Sequence, residues 1–135
     1  ARRLLELYCG QGTFTFFAAP VIECGLGIEI NAQAIATAQA TAQDLGFAHL
    51  SFKATDATAL KQDVLNFEPD LILVNPPRRG LQKTVELIRD IQPKHFIYSS
   101  CSAETTTSRP SARSSSIVCG TCASTSRATW PRCSA

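Results

Sequence analysis

The chain has 135 residues, 44% of them hydrophobic and 18% charged. That length fits one domain, and no stretch approaches the roughly 18 apolar residues of a membrane span. The formal net charge of +2 divides unevenly: residues 1–104 hold nine Lys/Arg and all eleven Asp/Glu, whereas residues 105–135 hold four arginines and no acid, so the body lacks the global basic surface of a nucleic-acid binder.

The chain opens directly on a strand pattern, Leu4–Tyr8, with no Met anywhere and no signal-peptide pattern after Arg2-Arg3. This start predicts a fragment of a longer protein; the body cysteines read as intracellular, and a cytoplasmic location is expected. Gly10-Gln11-Gly12 predicts a turn, and Thr13–Ala19 a helix that Pro20 ends. Gly25–Ile30 is the second strand. Asn31 is a suitable N-cap for a helix over Ala32–Leu45, and Gly46 suits its C-terminal stop. Leu50–Ala54 follows as a strand, Thr58–Leu65 as a short helix and Asp70–Val74 as a nearly all-apolar strand. Leu81–Ile91 is the last helix and His95–Ser99 the fifth strand.

Strands that alternate with helices predict parallel crossover units, and strands that read as Val/Ile/Leu runs predict a sheet covered on both faces. The expected fold is α/β: an open, doubly wound, mostly parallel sheet that stops after the fifth strand. Ligands of such sheets bind beyond the strand carboxyl ends.

The chain divides into a body, 1–104, and a tail, 105–135. The tail has fourteen Ser/Thr and no Leu, Phe, Asp, Glu, Lys, Asn or Gln. Such text cannot bury enough apolar surface to offset its ordering entropy, so it is expected to be disordered or out of frame. Cys119-Gly120-Thr121-Cys122 has the spacing of a redox or zinc pair, but no strand or helix pattern flanks it and no clear fourth ligand exists. No metal site, no membrane and no obligate protein partner is expected. The body cysteines read as unpaired, and His49 and His95 as structural.

The chemistry-bearing residues sit at the strand ends. Gly10 and Gly12 follow strand one and open a helix, where glycines let the backbone approach a ligand. A dinucleotide fingerprint fails, because Thr15 stands at the third glycine position of G-x-G-x-x-G. Glu29 ends strand two, where a carboxylate can accept two hydrogen bonds from a ribose diol; the alternative is a charge that favours the following helix. Asp56 can accept from an exocyclic amine such as adenine N6, or serve as a second N-cap. Asn75-Pro76-Pro77-Arg78 is a loop stiffened at a strand exit, able to present the Asn75 amide rigidly. Cys101, after Tyr98-Ser99-Ser100, is a candidate nucleophile; the plain alternative is a buried small hydrophobe.

Glu6-Leu7-Tyr8-Cys9-Gly10-Gln11-Gly12-Thr13-Phe14, Gly27-Ile28-Glu29-Ile30, Val74-Asn75-Pro76-Pro77-Arg78-Arg79-Gly80 and Tyr98-Ser99-Ser100-Cys101 together resemble the RNA uracil-C5 methyltransferases. Residues 3–104 carry the resemblance, and Asn-Pro-Pro-Arg-Arg-Gly with Tyr-Ser-Ser-Cys is most like the bacterial 23S rRNA (RlmC) type. The resemblance implies a Rossmann-like class I S-adenosyl-L-methionine (SAM) domain acting on RNA, ribosomal by subfamily. It assigns Tyr8, Gly10, Gly12, Glu29 and Asn75 to the cofactor, Pro76, Pro77 and Arg78 to the substrate loop, and Cys101 to covalent addition at uracil C6.

Three features depart from the family. Ser102 stands where the family has Asn. The downstream base, a Glu in a His-x-Glu-type motif, finds no match in residues 105–135. The iron–sulfur cluster of the RlmC type belongs to a segment before Ala1. The parent is therefore expected to be an enzyme, and this chain to be unable to complete turnover. The alternatives are a SAM-binding chain without activity and an amino-group methyltransferase using Asn-Pro-Pro. Arg78, in place of an aromatic residue, and Cys101 argue against the second.

Overall fold

The computed structural model describes residues 2–76, 81 and 83–99, and the backbone of 118–121. Five strands appear in the expected order: β1 (Arg3–Leu7), β2 (Cys24–Glu29), β3 (Leu50–Ala54), β4 (Leu71–Val74) and β5 (His95–Tyr98). Between them lie α1 (Thr13–Ala18), α2 (Ala32–Asp44), α3 (Lys61–Phe67) and α4 (Thr84–Ile91), with 3-10 turns at Ala19–Val21 and Ala57–Leu60. The spatial order is β3-β2-β1-β4-β5, and all four of these pairings are parallel. The chain thus winds one way from β1 to β3 and the other way from β4 onward. The reversal lies between β1 and β4, so their carboxyl ends open a crevice.

Each face of the sheet has its own core. Leu5, Leu7, Leu26, Ile28, Ile72 and Val74 pack with Val64 of α3 and Leu87 of α4. On the opposite face Leu50 and Phe52 pack with Ile35, Ala38 and Ala42 of α2. Burial of each large apolar side chain contributes about 1.5–3 kcal/mol. A one-residue slip of β1 would send Leu5 and Leu7 to the wrong face, which fixes the register.

Local signals set the helix ends. Asn31 Oδ1 accepts from the amides of Gln33 (3.0 Å) and Ala34 (3.2 Å), the expected cap of α2. Helix α4 starts at Thr84, three residues later than its apolar pattern suggests. The intervening turn is closed by Leu81 O, which accepts from Thr84 N at 2.8 Å and Val85 N at 3.2 Å. Among the described residues, no helix is long and apolar enough to cross a membrane.

Two expectations are corrected. The sheet does not stop at the fifth strand: β6 (Val118–Thr121) pairs antiparallel with β5, His95 opposite Thr121 and Tyr98 opposite Val118. Strand β5 is therefore not an edge. Its outer side offers a row of backbone donors and acceptors that a four-residue segment can satisfy, a possibility that the tail's composition does not reveal. The second correction concerns Cys24, which is disulfide-bonded rather than unpaired.

Candidate functional site

The strand ends are laced together just past the regular ladder. Cys9 N donates to Ile28 O (3.1 Å), Thr55 N to Glu29 O (2.9 Å), Asn75 N to Leu7 O (3.3 Å) and Ser99 N to Val74 O (2.8 Å). This lacing aligns Tyr8, Glu29, Thr55 and Asn75 along one rim, with the crevice between the exits of β1 and β4.

Tyr8 turns the chain off β1. Its φ of +59° lies in the left-handed region, which costs a non-glycine residue roughly 1–2 kcal/mol. Gly10 and Gly12 continue the turn at φ +54° and +82°, and Gly12 N donates to Cys9 O at 2.8 Å. A Cβ on Gly10 would meet no atom within 4 Å, so this part of the loop faces open space. A Cβ on Gly12 would lie 2.6 Å from Cε1 of Phe52, so that glycine is demanded by packing.

Glu29 is half-buried and bridges the loop to the next helix. Its Oε2 accepts from Gly10 N (3.2 Å) and its Oε1 from Asn31 N (3.0 Å). Glu29 thus sits at the glycine loop and also beside the start of α2. Each carboxylate oxygen retains acceptor capacity for a ligand hydroxyl.

Asp56 is the N-cap of the Ala57–Leu60 turn, its Oδ1 accepting from Thr58 N at 2.8 Å and from the Thr58 hydroxyl. These bonds hold its carboxyl below the usual range. Tyr8, Glu29, Ile30, Thr55 and Asp56 line a cavity of about 80 Å³ with Ile28 and Ala57. Ile30 is 73% exposed, an apolar surface directly after the acid. A larger groove of about 780 Å³ runs along α2 and β3 but includes none of the rim residues. At the rim, acceptors and an exposed apolar wall coincide.

The rim brings together Tyr8, Gly10, Glu29 and Asp56, with Gly12 at the base of the loop. Asn75 and Pro76 lie across the crevice, at the exit of β4. Pro77, Arg78 and Cys101 lie outside the described residues.

Sequence reading overlooked Glu6. It sits mid-strand in β1, 1% exposed, and its Oε2 accepts from Thr15 N at 2.8 Å and from the Thr15 hydroxyl. Burial pushes its carboxyl up, and the two Thr15 bonds offset part of that. The signal was available as an acid inside the apolar run Leu4–Leu7, with a Thr at the third glycine position. Cys9, beside it, is 5% exposed. Burial first, then the carboxylates of Glu6 and Glu29, push its thiol up to about 12, so it is no thiolate at neutral pH. His49 is structural, its Nε2 3.0 Å from Ala19 O and its ring edge-on to Phe47.

A family model described as "Methyltransferase domain" matches residues 1–128. The 23S rRNA (uracil(747)-C(5))-methyltransferase RlmC of Vibrio vulnificus is 45% identical over 105 residues, 77% of this chain. The chain spans about 28% of that relative's length. The tRNA (uracil-54, C5)-methyltransferase of Pyrococcus abyssi, solved with S-adenosyl-L-homocysteine, superposes with a TM-score of 0.65 at 24% identity, covering 78% of this chain and 26% of that one. An RNA methyltransferase of Salinibacter ruber, also solved with S-adenosyl-L-homocysteine, gives a TM-score of 0.60 at 17% identity, covering 80% and 71%. These structural likenesses establish the Rossmann-like class I methyltransferase fold.

Proposed function

We propose, on the premise that the chain belongs to the methyltransferase-domain family, that it forms the cofactor-binding and methyl-transferring part of an RNA (uracil-C5)-methyltransferase. The RNA is ribosomal by its likeness to RlmC. The observation that carries the reading is Glu29, a carboxylate fixed by Gly10 N and Asn31 N at the rim of the crevice.

The residues present fit SAM. Glu29 offers acceptors to the ribose hydroxyls, and the open face of Gly10 admits the ligand against backbone. Ile30 and Ala57 supply apolar walls for the base, and Asp56 an acceptor for its exocyclic amine. Asn75 presents its amide from the opposite side of the crevice. When bound, SAM supplies an electrophilic methyl group.

Uracil C5 is too weak a nucleophile to take a methyl unaided. In the proposed reaction the Cys101 thiolate would add to C6, the C5–C6 π electrons would move toward C5, and C5 would take the methyl carbon as the bond from that carbon to the donor's sulfonium sulfur breaks, its electron pair staying on sulfur. A base removes the C5 proton, and elimination expels the thiolate and restores the double bond. Covalent addition thereby divides one difficult step into easier ones. Cys9 cannot substitute for Cys101, because its buried thiol is held protonated.

Calorimetric titration with SAM tests the binding half. Glu29→Ala is expected to lose about 1.5–3 kcal/mol of binding free energy, the range for a hydrogen bond to a charged group. Equal affinity in the variant removes Glu29 from the site. For the covalent half, RNA carrying 5-fluorouridine should give a SAM-dependent, denaturation-resistant adduct that Cys101→Ala abolishes. An adduct that persists in the alanine variant assigns the nucleophile elsewhere.

A further inference from the structure

Tyr8 is held by more than its strand. Its hydroxyl lies 3.2 Å from Oγ1 of Thr84, a residue 76 positions away and only 2% exposed. The Thr84 hydroxyl donates to Leu81 O at 2.9 Å. With that hydrogen committed, the Thr84 oxygen is left to accept the Tyr8 O–H. Leu81 O also receives the amides of Thr84 and Val85, so it is the anchor of the first turn of α4. A directional chain of hydrogen bonds therefore runs from the wall of the rim cavity to the carbonyl that follows the Asn75–Gly80 segment.

This chain explains how Tyr8 keeps a left-handed backbone. The ring is clamped at its far end, so relaxing the residue into an extended conformation would break this part-buried bond. If Tyr8 relaxed, Cys9 and Gly10 would shift with it, and Gly10 N is a donor to Glu29.

We infer that Thr84 is a positioning residue for the cofactor cavity: through the Tyr8 hydroxyl it fixes the glycine loop against Glu29 and ties that loop to the start of α4. The inference rests on the reading that the cavity takes SAM. It adds a residue at the far end of the substrate loop whose effect on the cofactor passes entirely through Tyr8.

The test uses the full chain and four variants. Thr84→Val keeps shape and removes the hydroxyl, Thr84→Ser keeps the hydroxyl, Tyr8→Phe removes the other partner, and Tyr8→Phe/Thr84→Val removes both. In titrations with SAM, Thr84→Val and Tyr8→Phe should each weaken binding about three- to tenfold, the worth of one hydrogen bond. Thr84→Ser should bind within about twofold of wild type, and the double variant should be no weaker than Thr84→Val, since that variant has already lost the Tyr8–Thr84 bond together with the Thr84–Leu81 bond. Wild-type affinity in Thr84→Val, or multiplicative losses in the double variant, overturns the inference.

Hydrogen exchange separates its failure from failure of the SAM reading. The Val85 amide should exchange faster in Tyr8→Phe than in wild type with no ligand present. Unchanged exchange overturns the tether itself. Faster exchange in a chain that binds no SAM upholds the tether and overturns the cofactor reading, and with it the role given to Thr84. Tyr8→Phe leaves the buried Thr84 intact, which keeps the test available if Thr84→Val fails to fold.

Discussion

Two glycines in one turn should respond to alanine differently. At Gly12 the added methyl carbon would lie 2.6 Å from Cε1 and 2.9 Å from Cζ of Phe52, and 3.2 Å from Phe16. The Phe52 ring cannot step aside: it is 5% exposed and packs on Phe16 at a centroid distance of 5.4 Å. Behind it, Gly27 leaves no more room, since a Cβ there would also fall 2.6 Å from the ring. The left-handed backbone at φ +82° adds about 1–2 kcal/mol for alanine. Overpacking adds about 1–3 kcal/mol. Gly12→Ala should therefore lose about 2–5 kcal/mol of unfolding free energy.

Gly10→Ala carries only the backbone term of about 1–2 kcal/mol, because its methyl would meet nothing within 4 Å. That methyl would enter the space against which the ligand is proposed to lie, so SAM affinity should fall about tenfold or more, some 1.4 kcal/mol. Urea unfolding followed by circular dichroism gives the first quantity and calorimetry the second. A Gly12→Ala variant within 1 kcal/mol of wild type, or a Gly10→Ala variant equally destabilised, would refute the packing argument.

Asp56→Asn keeps a good N-cap while removing the charge, so it should preserve stability; Asp56→Ala should lose about 1 kcal/mol. A SAM affinity unchanged in Asp56→Asn would reduce Asp56 to its cap. Asp70 is pushed up by burial, but Lys94 and the amides of Arg3 and Arg2 outweigh that and hold its carboxyl below 3.8. A depressed folded-state value means that its stabilisation is present above 3.8 and lost as pH falls through the folded value. Asp70→Asn should flatten that acid limb in pH-dependent unfolding, and an unchanged limb would disprove the assignment. With its thiol near 12, Cys9 is about one part in ten thousand thiolate at pH 8, so iodoacetamide should label it only after unfolding, as peptide mapping would show.

The sheet was legible because its five parallel strands are short apolar runs between helix signals, and each lies within a residue of where those runs place it. The Asn31 cap and the Gly46 stop were legible for the same local reason. Helix α3 was blurred: Ala57–Leu60 forms a 3-10 turn and the α-helix runs from Lys61 to Phe67, because Asp56 caps the turn rather than the helix. Glu6 was missed because hydropathy averages an acid away inside Leu4–Leu7; only its partner, Thr15, explains how it can be buried. The Tyr8–Thr84 pair spans a distance in sequence that no periodicity can bridge. Strand β6 escaped because backbone pairing with an open edge needs little from side chains.

The position of the crevice between β1 and β4 has a kinetic consequence. Leu4 pairs with Gly25 on one side and with Leu71 on the other, closures of 25 − 4 = 21 and 71 − 4 = 67 residues. The longer closure is costlier by about 1 kcal/mol in chain entropy alone. The half from β1 to β3 should thus assemble first, leaving one edge of β1 waiting for β4. The crevice should then be the last part of the sheet to form during folding. A ligand that spans it meets a finished molecule, so it should slow unfolding while leaving the rate at which β1, β2 and β3 come together unchanged.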